Sequence, residues 1–202
     1  MKLKLDAVII AAGKSGRIGE PKAFLKFNGV PFIVKILGNL LHFCNRVVVV
    51  FGFEENKMID LISREKIYYD NLEKIFIEIN SDYEKGMFGS IQCGLKRIKD
   101  SEQVLIHQVD QPGLPQKFYE EFISQIDKKF DWLQPSYLGK PGHPIIINQK
   151  IVNLILNENI DSNLRFLKNK YQIVQKIWEC SYPEIHQDID RIEDYQKLIE
   201  GH

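Results

Sequence analysis

The sequence predicts a single α/β domain over residues 1–202, in which a mostly parallel sheet lies between two layers of helices. Short, continuous apolar runs alternate with stretches of helical periodicity, which is the pattern of a parallel sheet with covering helices. No linker or low-complexity tract divides the chain. Hydrophobic residues make up 44% and charged residues 27%, close to the averages of globular domains, so a disordered, fibrous or repeat protein is not expected.

The first half of the chain predicts strand, loop, helix and strand in that order. Leu5 to Ala12 form a continuous apolar run stopped by Gly13, which is typical of a central strand buried on both faces. Residues 31–44 have apolar residues at helical spacing with Pro31 at the first position, and four consecutive valines follow. The next predicted elements are strands over 46–51, 74–79 and 103–109, with a helix over 88–98.

The second half of the chain is less regular. Residues 132–144 are rich in proline, glycine and aromatic residues, and we expect them to form the irregular far wall of a cleft. A helix over 161–170 has Asp161 or Ser162 as a candidate cap. The other predicted elements are a helix over 115–128, a short strand at 145–147, a strand over 172–178 and a last helix over 192–200.

The charge and cysteine content exclude several classes of protein. Lysine and arginine total 27 and aspartate and glutamate total 27, so a nonspecific nucleic-acid binder is not expected. The three cysteines, Cys44, Cys93 and Cys180, are far apart and predict neither a disulfide framework nor a zinc site, which fits a cytoplasmic protein. The apolar stretches are shorter than the ~18 to 20 residues that span a bilayer, and no signal peptide is recognised, so we expect no membrane partner.

The loop after the first strand predicts an anion-binding site. Residues 11–22, AAGKSGRIGEPK, combine three glycines with one arginine and two lysines. A Walker loop would need a glycine where Val8 stands, and the glycines have the spacing GxxGxxG rather than the GxGxxG of dinucleotide-binding folds. Both of these phosphate loops are therefore disfavoured, and an ordinary glycine-rich surface turn is the alternative.

Polar residues at other predicted strand ends are candidates for the same site. Ligands of open α/β sheets collect beyond the carboxyl ends of the strands, so the loops that start at Gly13, Gly52, Asn80 and Asp110 should face one site. Asp110 either projects into this cleft or starts a turn.

Further carboxylates and histidines allow two interpretations each. Asp188 and Asp190 would share one face of an extended segment, or one of them caps the last helix. His143 either contacts a ligand or lies in a solvated loop. His107 alternates with apolar residues in a strand, which favours a satisfied, partly buried histidine over a metal ligand.

The motifs together resemble a known family. Residues 11–33, AAGKSGRIGEPKAFLKFNGVPFI, resemble AAGxSxRMGxPKxLLxxxGxPLI, the signature of the nucleotidyltransferases that include molybdenum cofactor cytidylyltransferase. Ile18 in place of methionine is the departure in its centre. The resemblance continues, in family order, over residues 83–90, 110–112, 142–144, 161–167 and 188–195.

The resemblance implies a Rossmann-like domain that transfers a nucleoside monophosphate from a nucleoside triphosphate (NTP) to a phosphorylated small molecule, with Mg²⁺ as the cofactor and pyrophosphate as the product. Arg17 would bind the β and γ phosphates, Lys22 would contact the α-phosphate, and Asp110 would bind the metal together with Asp188, Asp190 or both. The catalytic set is then Lys22, Arg17 and Asp110. The nucleotide-binding set is Ala11, Ala12, Gly13, Lys14, Ser15, Arg17, Lys22, Asn80, Gly86 and Ser90.

Details of the resemblance favour CTP as the donor and molybdopterin cofactor as the acceptor. Ala12 stands where the guanylyl branch has glycine, and its methyl group would narrow the space beside the base. In contrast, Phe88 and Gly89 depart from the cytidylyl branch, in which serines are common at these positions. The alternatives are a sugar-phosphate or other metabolite nucleotidyltransferase, or a non-catalytic nucleotide-binding protein that delivers the cofactor to a client molybdoenzyme. An NAD oxidoreductase is disfavoured by the missing GxGxxG motif.

Overall fold

The structure is a computed structural model that describes residues 4–14 and 18–200. Its strands are β1 (Leu5–Ile10), β2 (Lys26–Phe27), β3 (Val30–Pro31), β4 (Val47–Phe51), β5 (Ile75–Ile79), β6 (Gln103–Gln108), β7 (Trp132–Tyr137), β8 (Lys140–Pro141), β9 (Ile145–Asn148) and β10 (Gln175–Glu179). Its helices are α1 (Phe32–Leu41), α2 (Glu55–Ser63), α3 (Lys66–Tyr69), α4 (Met87–Arg97), α5 (Gln116–Ser124), α6 (Gln149–Leu156), α7 (Leu164–Lys170) and α8 (Ile192–Glu200). Short 3₁₀ segments cover Lys22–Phe24, Tyr83–Lys85 and Pro183–His186.

One eight-stranded sheet organises the chain. Seven strands follow the order β10-β7-β9-β6-β1-β4-β5, and β8 pairs with β7 alone. The pairs of β1 with β4 and β6, of β4 with β5, and of β7 with β10 are parallel, whereas β9 runs antiparallel to both β6 and β7. The predicted single α/β fold with a mostly parallel sheet is confirmed.

The central strands are buried on both faces, as their apolar runs predict. All six residues of β1 and all five of β4 are buried. Their side chains alternate between two hydrophobic cores: Ala7 and Ile9 belong to the core that contains the buried face of α1, while Val8 and Ile10 belong to the core beneath α4 and α6. The sheet is therefore the middle layer of three.

Helix α4 packs unusually close to the sheet because of a glycine. A Cβ atom added at Gly94 would lie 2.5 Å from Cγ1 of Val8 and 2.9 Å from Cγ2 of Val50. The two strands therefore fix the position of α4, and the first turn of this helix reaches the carboxyl ends of β1 and β6.

Four features of the structure differ from the sequence-based expectations. The segment that we expected to be an irregular wall contains β7, a full strand of the sheet with Pro135 inside it. Helix α7 starts at Leu164 with Asn163 as its cap, whose side chain accepts a hydrogen bond from the N–H of Phe166, so neither Asp161 nor Ser162 is the cap. Helices α2, α3 and α6 were not predicted. The β2–β3 hairpin turns at Asn28-Gly29, both at positive φ, which is a known sequence signal for a two-residue turn.

His107 is a hydrogen-bonded residue of the core, as predicted, and it is fully rather than partly buried. The hydroxyl of Tyr119 lies 2.8 Å from Nε2, and the backbone carbonyl of Gln108 lies 2.6 Å from Nδ1. The neutral ring satisfies both contacts, with Nδ1–H as donor and Nε2 as acceptor. Burial lowers the pKa of His107 to about 4.

The helices of the described residues are all too short or too polar to cross a membrane.

We predict that Gly94→Ala destabilises the protein by about 1 to 3 kcal/mol, because the new methyl group would overlap the valines of β1 and β4. Gly38→Ala in α1 is the matched control, since a Cβ there would make an ordinary contact at 3.5 Å with Ile67. Helix propensity should make the control neutral or more stable by up to about 1 kcal/mol. Urea unfolding of both variants tests this, and equal stabilities would contradict the close packing at Gly94.

We predict that His107 makes the protein sensitive to mild acid. In the unfolded chain this histidine has a pKa near 6.5, so between pH 6.5 and about 4 the unfolded chain binds a proton that the folded protein does not. Stability contributed by the neutral ring is therefore present at pH 7 and falls as the pH is lowered through this window. Urea unfolding measures how much the free energy of unfolding decreases from pH 7 to pH 5. This decrease should be smaller for His107→Gln than for the wild type, whereas His42→Gln, at an exposed histidine, should show the wild-type decrease.

Candidate active site

A cavity of about 340 Å³ opens at the carboxyl ends of β1 and β6. Its walls come from the first loop, the 3₁₀ segment after it, α2, the start of α4, the end of β6 and the segment before α8. The lining residues are Ile10, Ala11, Gly13, Lys22, Ala23, Met58, Tyr83, Gly86, Met87, Ser90, Gln108, Val109, Asp110 and Asp190. The loops that start at Gly13, Asn80 and Asp110 therefore meet at one site, as the strand ends predict, whereas no residue of 52–54, the loop that starts at Gly52, lines it.

The described part of the first loop contributes two small residues to the cavity, and its Lys14 is not a lining residue. Ala11 and Gly13 line the cavity. Ala12 is buried and is not among the lining residues, and its carbonyl accepts a hydrogen bond of 3.1 Å from the N–H of Phe53. The exposed Lys14 pairs with Glu84 and lies over the ring of Tyr83. Two further candidates of this loop, Ser15 and Arg17, lie outside the described residues.

Lys22 lies between two of the predicted aspartates. Its Nζ is 2.8 Å from Oδ2 of Asp110 and 2.7 Å from Oδ1 of Asp190. The side chains of Lys22 and Asp110 are only 13% and 15% exposed, whereas that of Asp190 is 51% exposed. Burial disfavours the charge of Lys22, but the two carboxylates outweigh it and raise the pKa of the lysine. Lys22 is therefore a fixed positive charge in the wall of the cavity.

Asp188 has a different environment from Asp190. Its Oδ1 accepts a hydrogen bond of 2.8 Å from Nε2 of Gln111, which also donates to the carbonyl of Ile185. Burial of the carboxyl group, together with the charge of Asp110, raises the pKa of Asp188. Asp188 is not among the residues that line the cavity.

The start of helix α8 is stabilised by a side chain of the helix itself. The carboxylate of Asp194 accepts hydrogen bonds from the N–H groups of Asp190 and Arg191, at 3.2 and 2.9 Å. The described hydrogen bonds thus give the capping role to Asp194, while the side chains of Asp188 and Asp190 face Gln111 and Lys22.

The carboxylates fit a hard divalent cation that also binds a nucleotide. Oδ1 of Asp110 is buried and has no hydrogen-bond partner among the described groups, so this oxygen has an unused lone pair. In the described parts of the chain, no three His, Cys, Asp or Glu side chains form a ready-made metal cluster. Mg²⁺ commonly uses one or two carboxylates and takes its remaining ligands from substrate phosphates and water. Asp110 and Asp190 suit that mode of binding.

The first turn of α4 presents a hydroxyl to the cavity. Ser90 lines the cavity, and its Oγ accepts a hydrogen bond of 3.0 Å from Nδ2 of the buried Asn80. Because Asn80 supplies this donor, the Ser90 O–H is available to donate to another group. Asn80 is not a lining residue, so it acts through Ser90. Gly86, at φ 108°, lines the cavity just before the helix begins.

The two residues that depart from the serines of the cytidylyl branch do not intrude on the cavity. Phe88 is 4% exposed and belongs to the core beneath α4. Gly89 packs against Ile160, whose Cγ1 would lie 2.9 Å from an added Cβ. Both residues serve the packing of α4.

Comparison with known proteins identifies the family. Residues 7–174 match the model of the MobA-like NTP transferase domain. The chain belongs to this family. The match contains Lys22 and Asp110 but ends before Asp190, so the third group of the site lies outside it. The predicted membership of a nucleotidyltransferase family is confirmed.

Among individual relatives, the chain is 26% identical to molybdenum cofactor cytidylyltransferase of Escherichia coli K12 over 194 residues, which cover 95% of this chain and 93% of the relative. It is 27% identical to nicotine blue oxidoreductase of Paenarthrobacter nicotinovorans over 205 residues, which cover 96% of each chain. Relatives of this MobA-like protein therefore carry names from two reaction classes.

Solved structures confirm the fold. Rv0371c of Mycobacterium tuberculosis superposes with a TM-score of 0.79 at 18% identity, covering 99% of both chains. The structure of the same protein in complex with manganese gives a TM-score of 0.76 at 16% identity, covering 98% of this chain and 100% of that one.

Several site residues were missed by the sequence analysis. Met58, Tyr83, Met87 and Gln108 line the cavity, and Gln111 holds Asp188. Tyr83, Met87 and Gln111 lie inside motifs that carried the resemblance, so their position next to Ser90 and Asp110 was the available signal. Met58 lies in α2, outside those motifs, and had no such signal.

Proposed function

We propose that this MobA-like protein transfers CMP from CTP to the phosphate of an acceptor, molybdopterin cofactor, and releases pyrophosphate. The observation that carries the proposal is the placement of Lys22 between Asp110 and Asp190 in the wall of the cavity. The E. coli relative, a molybdenum cofactor cytidylyltransferase aligned over nearly its whole length, supports the donor and the acceptor.

The chemistry needs charge and positioning rather than a protein nucleophile. An oxygen of the acceptor phosphate forms a bond to the α-phosphorus of CTP, the bond between that phosphorus and the bridging oxygen breaks, and the electron pair leaves with pyrophosphate. Because the acceptor phosphate is already an anion, no proton has to be removed from it. Lys22 and the backbone N–H groups around Gly13 would stabilise the negative charge on the transferring group.

Asp110 and Asp190 would hold Mg²⁺, which supplies additional positive charge to the phosphates when it is bound. The manganese complex of the Mycobacterium tuberculosis protein, whose fold this chain shares, supports a divalent cation. We choose Asp190 over Asp188 as the second metal-binding residue because Asp190 lines the cavity and Asp188 does not.

The base would be read by Ser90. Because Nδ2 of Asn80 donates to its Oγ, the Ser90 O–H can donate to an acceptor atom on the edge of cytosine. Since Ala12 does not line the cavity, Ser90 is the better-supported determinant of base selection.

A pyrophosphate-release assay tests the proposed function. The four NTPs are offered in turn with molybdopterin cofactor and with common sugar phosphates, with and without Mg²⁺. We expect release with CTP and molybdopterin cofactor, and a preference for CTP over GTP that Ser90→Ala reduces. Pyrophosphate release with sugar phosphates but not with molybdopterin cofactor would identify a sugar phosphate as the acceptor. Nucleotide binding without pyrophosphate release would favour a non-catalytic protein that delivers the cofactor to a molybdoenzyme. No pyrophosphate release with any pair of NTP and acceptor would contradict the proposed transfer. It would favour a redox reaction, because one relative is named an oxidoreductase.

We predict that Lys22→Ala lowers kcat on the order of 10² to 10³, because a fixed charge at the reacting phosphate acts mainly on the transition state. Lys57→Ala is the matched control, since Lys57 is an exposed lysine of α2 that pairs with Glu54. Circular dichroism verifies that both variants are folded. An unchanged kcat in folded Lys22→Ala would contradict the role of Lys22.

We predict that Asp110→Asn abolishes metal-dependent turnover and that Asp190→Asn raises the Mg²⁺ concentration needed for half-maximal activity. Asp188→Asn should retain the wild-type requirement, because its carboxylate bonds to Gln111 outside the cavity. Mg²⁺ titrations of activity and Mn²⁺ binding followed by electron paramagnetic resonance measure the effect. A larger effect of Asp188→Asn than of Asp190→Asn would reverse the assignment.

A further inference from the structure

One half-buried lysine, on α7, has no counter-ion among the described residues. Lys168, in α7, is half-buried, and its Nζ lies 5.0 Å from the centre of the Trp132 ring. Its one described hydrogen bond is to Oε1 of Gln134, at 3.4 Å. Across residues 4–14 and 18–200, no carboxylate pairs with it, whereas Lys170 on the same helix pairs with Glu158 at 2.8 Å. A half-buried positive charge without a carboxylate is energetically costly unless an anion binds to it.

The groups around Lys168 are rigid and polar. Nε2 of Gln134 donates to the carbonyl of Gly142 at 3.0 Å, and Oε1 also accepts from Nε1 of Trp132 at 3.2 Å, so the amide has a fixed orientation toward the lysine. Arg165, one turn earlier on α7, is exposed and adds positive charge. Burial, with the charge of Arg165 as a second cause, lowers the pKa of Lys168.

His143 connects Lys168 to the catalytic carboxylate. Its Nδ1 is buried and has no hydrogen-bond partner among the described groups. Burial lowers the pKa of His143, the charge of Asp110 opposes this, and the charge of Lys168 adds to it, so both groups lie within electrostatic range of the ring. The N–H of His143 and Nε2 of Gln111, the residue after Asp110, both donate to the carbonyl of Ile185. Gln134, the hydrogen-bond partner of Lys168, donates to the carbonyl of Gly142, the residue before His143. These contacts place His143 between Asp110 and Lys168.

The order of the strands places Lys168, Gln134 and His143 on the other side of β6 from the first loop. Ile106 of β6 and Leu167 of α7 share one hydrophobic core, so α7 covers the face of the sheet to which alternation also directs Gln108, a lining residue of the cavity. Strand β1, which leads into the first loop, lies on one side of β6, and β9 and β7 lie on the other. Asp110 follows β6 and therefore lies between the first loop and the residues around Lys168.

We propose that Lys168 and His143, supported by Gln134 and Arg165, bind the phosphate of the acceptor. This inference rests on the proposed function, in which two phosphorylated molecules react. In-line transfer requires the attacking oxygen to approach the α-phosphorus from the side opposite to the leaving pyrophosphate. A phosphate subsite across Asp110 from the first loop meets this requirement. The ligand class is a phosphate monoester, whose charge the ammonium of Lys168 neutralises.

Binding of inorganic phosphate to the full chain, without nucleotide, tests the subsite. Isothermal titration calorimetry at constant ionic strength compares the wild type with Lys168→Met, which keeps an apolar side chain over Trp132 and removes the charge. We expect Lys168→Met to weaken phosphate binding by tenfold or more, Lys168→Arg to retain it within about threefold, and Lys170→Met to leave it unchanged. Equal affinities of the wild type and Lys168→Met would overturn the proposal.

A local readout separates this subsite from other anion-binding parts of the protein. Acetylation of lysines by acetic anhydride, resolved by mass spectrometry, should be slowed by phosphate at Lys168 and not at Lys170. If phosphate leaves the acetylation of Lys168 unchanged, the bound anion lies elsewhere and the proposal is wrong.

Kinetics then connect the subsite to the reaction. With molybdopterin cofactor as the acceptor, Lys168→Met should raise the KM for the acceptor by at least tenfold and leave the KM for CTP unchanged. A raised KM for CTP with an unchanged KM for the acceptor would contradict the subsite. If no acceptor supports pyrophosphate release, the proposed function fails, while the phosphate measurements still decide whether Lys168 binds an anion.

Discussion

The contact of the Lys22 ammonium with Asp110 and Asp190 determines how the rest of the site is arranged. Asp110 and Asp190 follow Lys22 by 88 and 168 residues in the sequence. The contact therefore joins the end of the first loop, the end of β6 and the segment before α8. Because Lys22 and Asp110 are mostly shielded from water, removing the ammonium of Lys22 would leave the carboxylate of Asp110 with an uncompensated charge, whereas removing Asp110 would still leave Lys22 paired with Asp190. The geometry of the three groups is therefore mutually dependent, and a shift of any one segment displaces the others.

A rigid support lies beneath this contact. Strands β1, β4 and β6 are buried and hydrogen-bonded on both sides, and Gly94 lets α4 approach them closely, so the helix carries Ser90 to a defined position at the cavity. The polar groups themselves are on loops and helix ends, where the backbone is free of the sheet pairing. This division between a packed scaffold and functional loops is common in α/β proteins. Here it places Lys22 against Asp110 at the carboxyl ends of the strands.

The sequence predicts best those elements whose hydrophobic pattern is determined locally. The buried runs of β1 and β4 and the periodic helices α1 and α4 were predicted within a few residues, because burial on both faces or on one face leaves a direct pattern. Strand β7 was not recognised, because Pro135 and the neighbouring glycines resemble a loop, and only its partners β9 and β10 make it a strand. The roles of Asp188 and Asp190 also depended on tertiary contacts, with Gln111 and Lys22, that no local spacing encodes.

Residue 190 reaches the site from far along the chain, and this affects how the protein is made. The N–H of Ile189 donates to the carbonyl of Asp110 at 3.2 Å, and Ile185 and Ile189 are buried in the core, so this segment is packed onto the end of the sheet. Translation proceeds from the N-terminus, and domains can begin to fold during synthesis. A nascent chain can therefore pair β1 with β6 while Lys22 still lacks one of its carboxylates. The cavity obtains its final charge distribution only after nearly the whole of this sequence has left the ribosome.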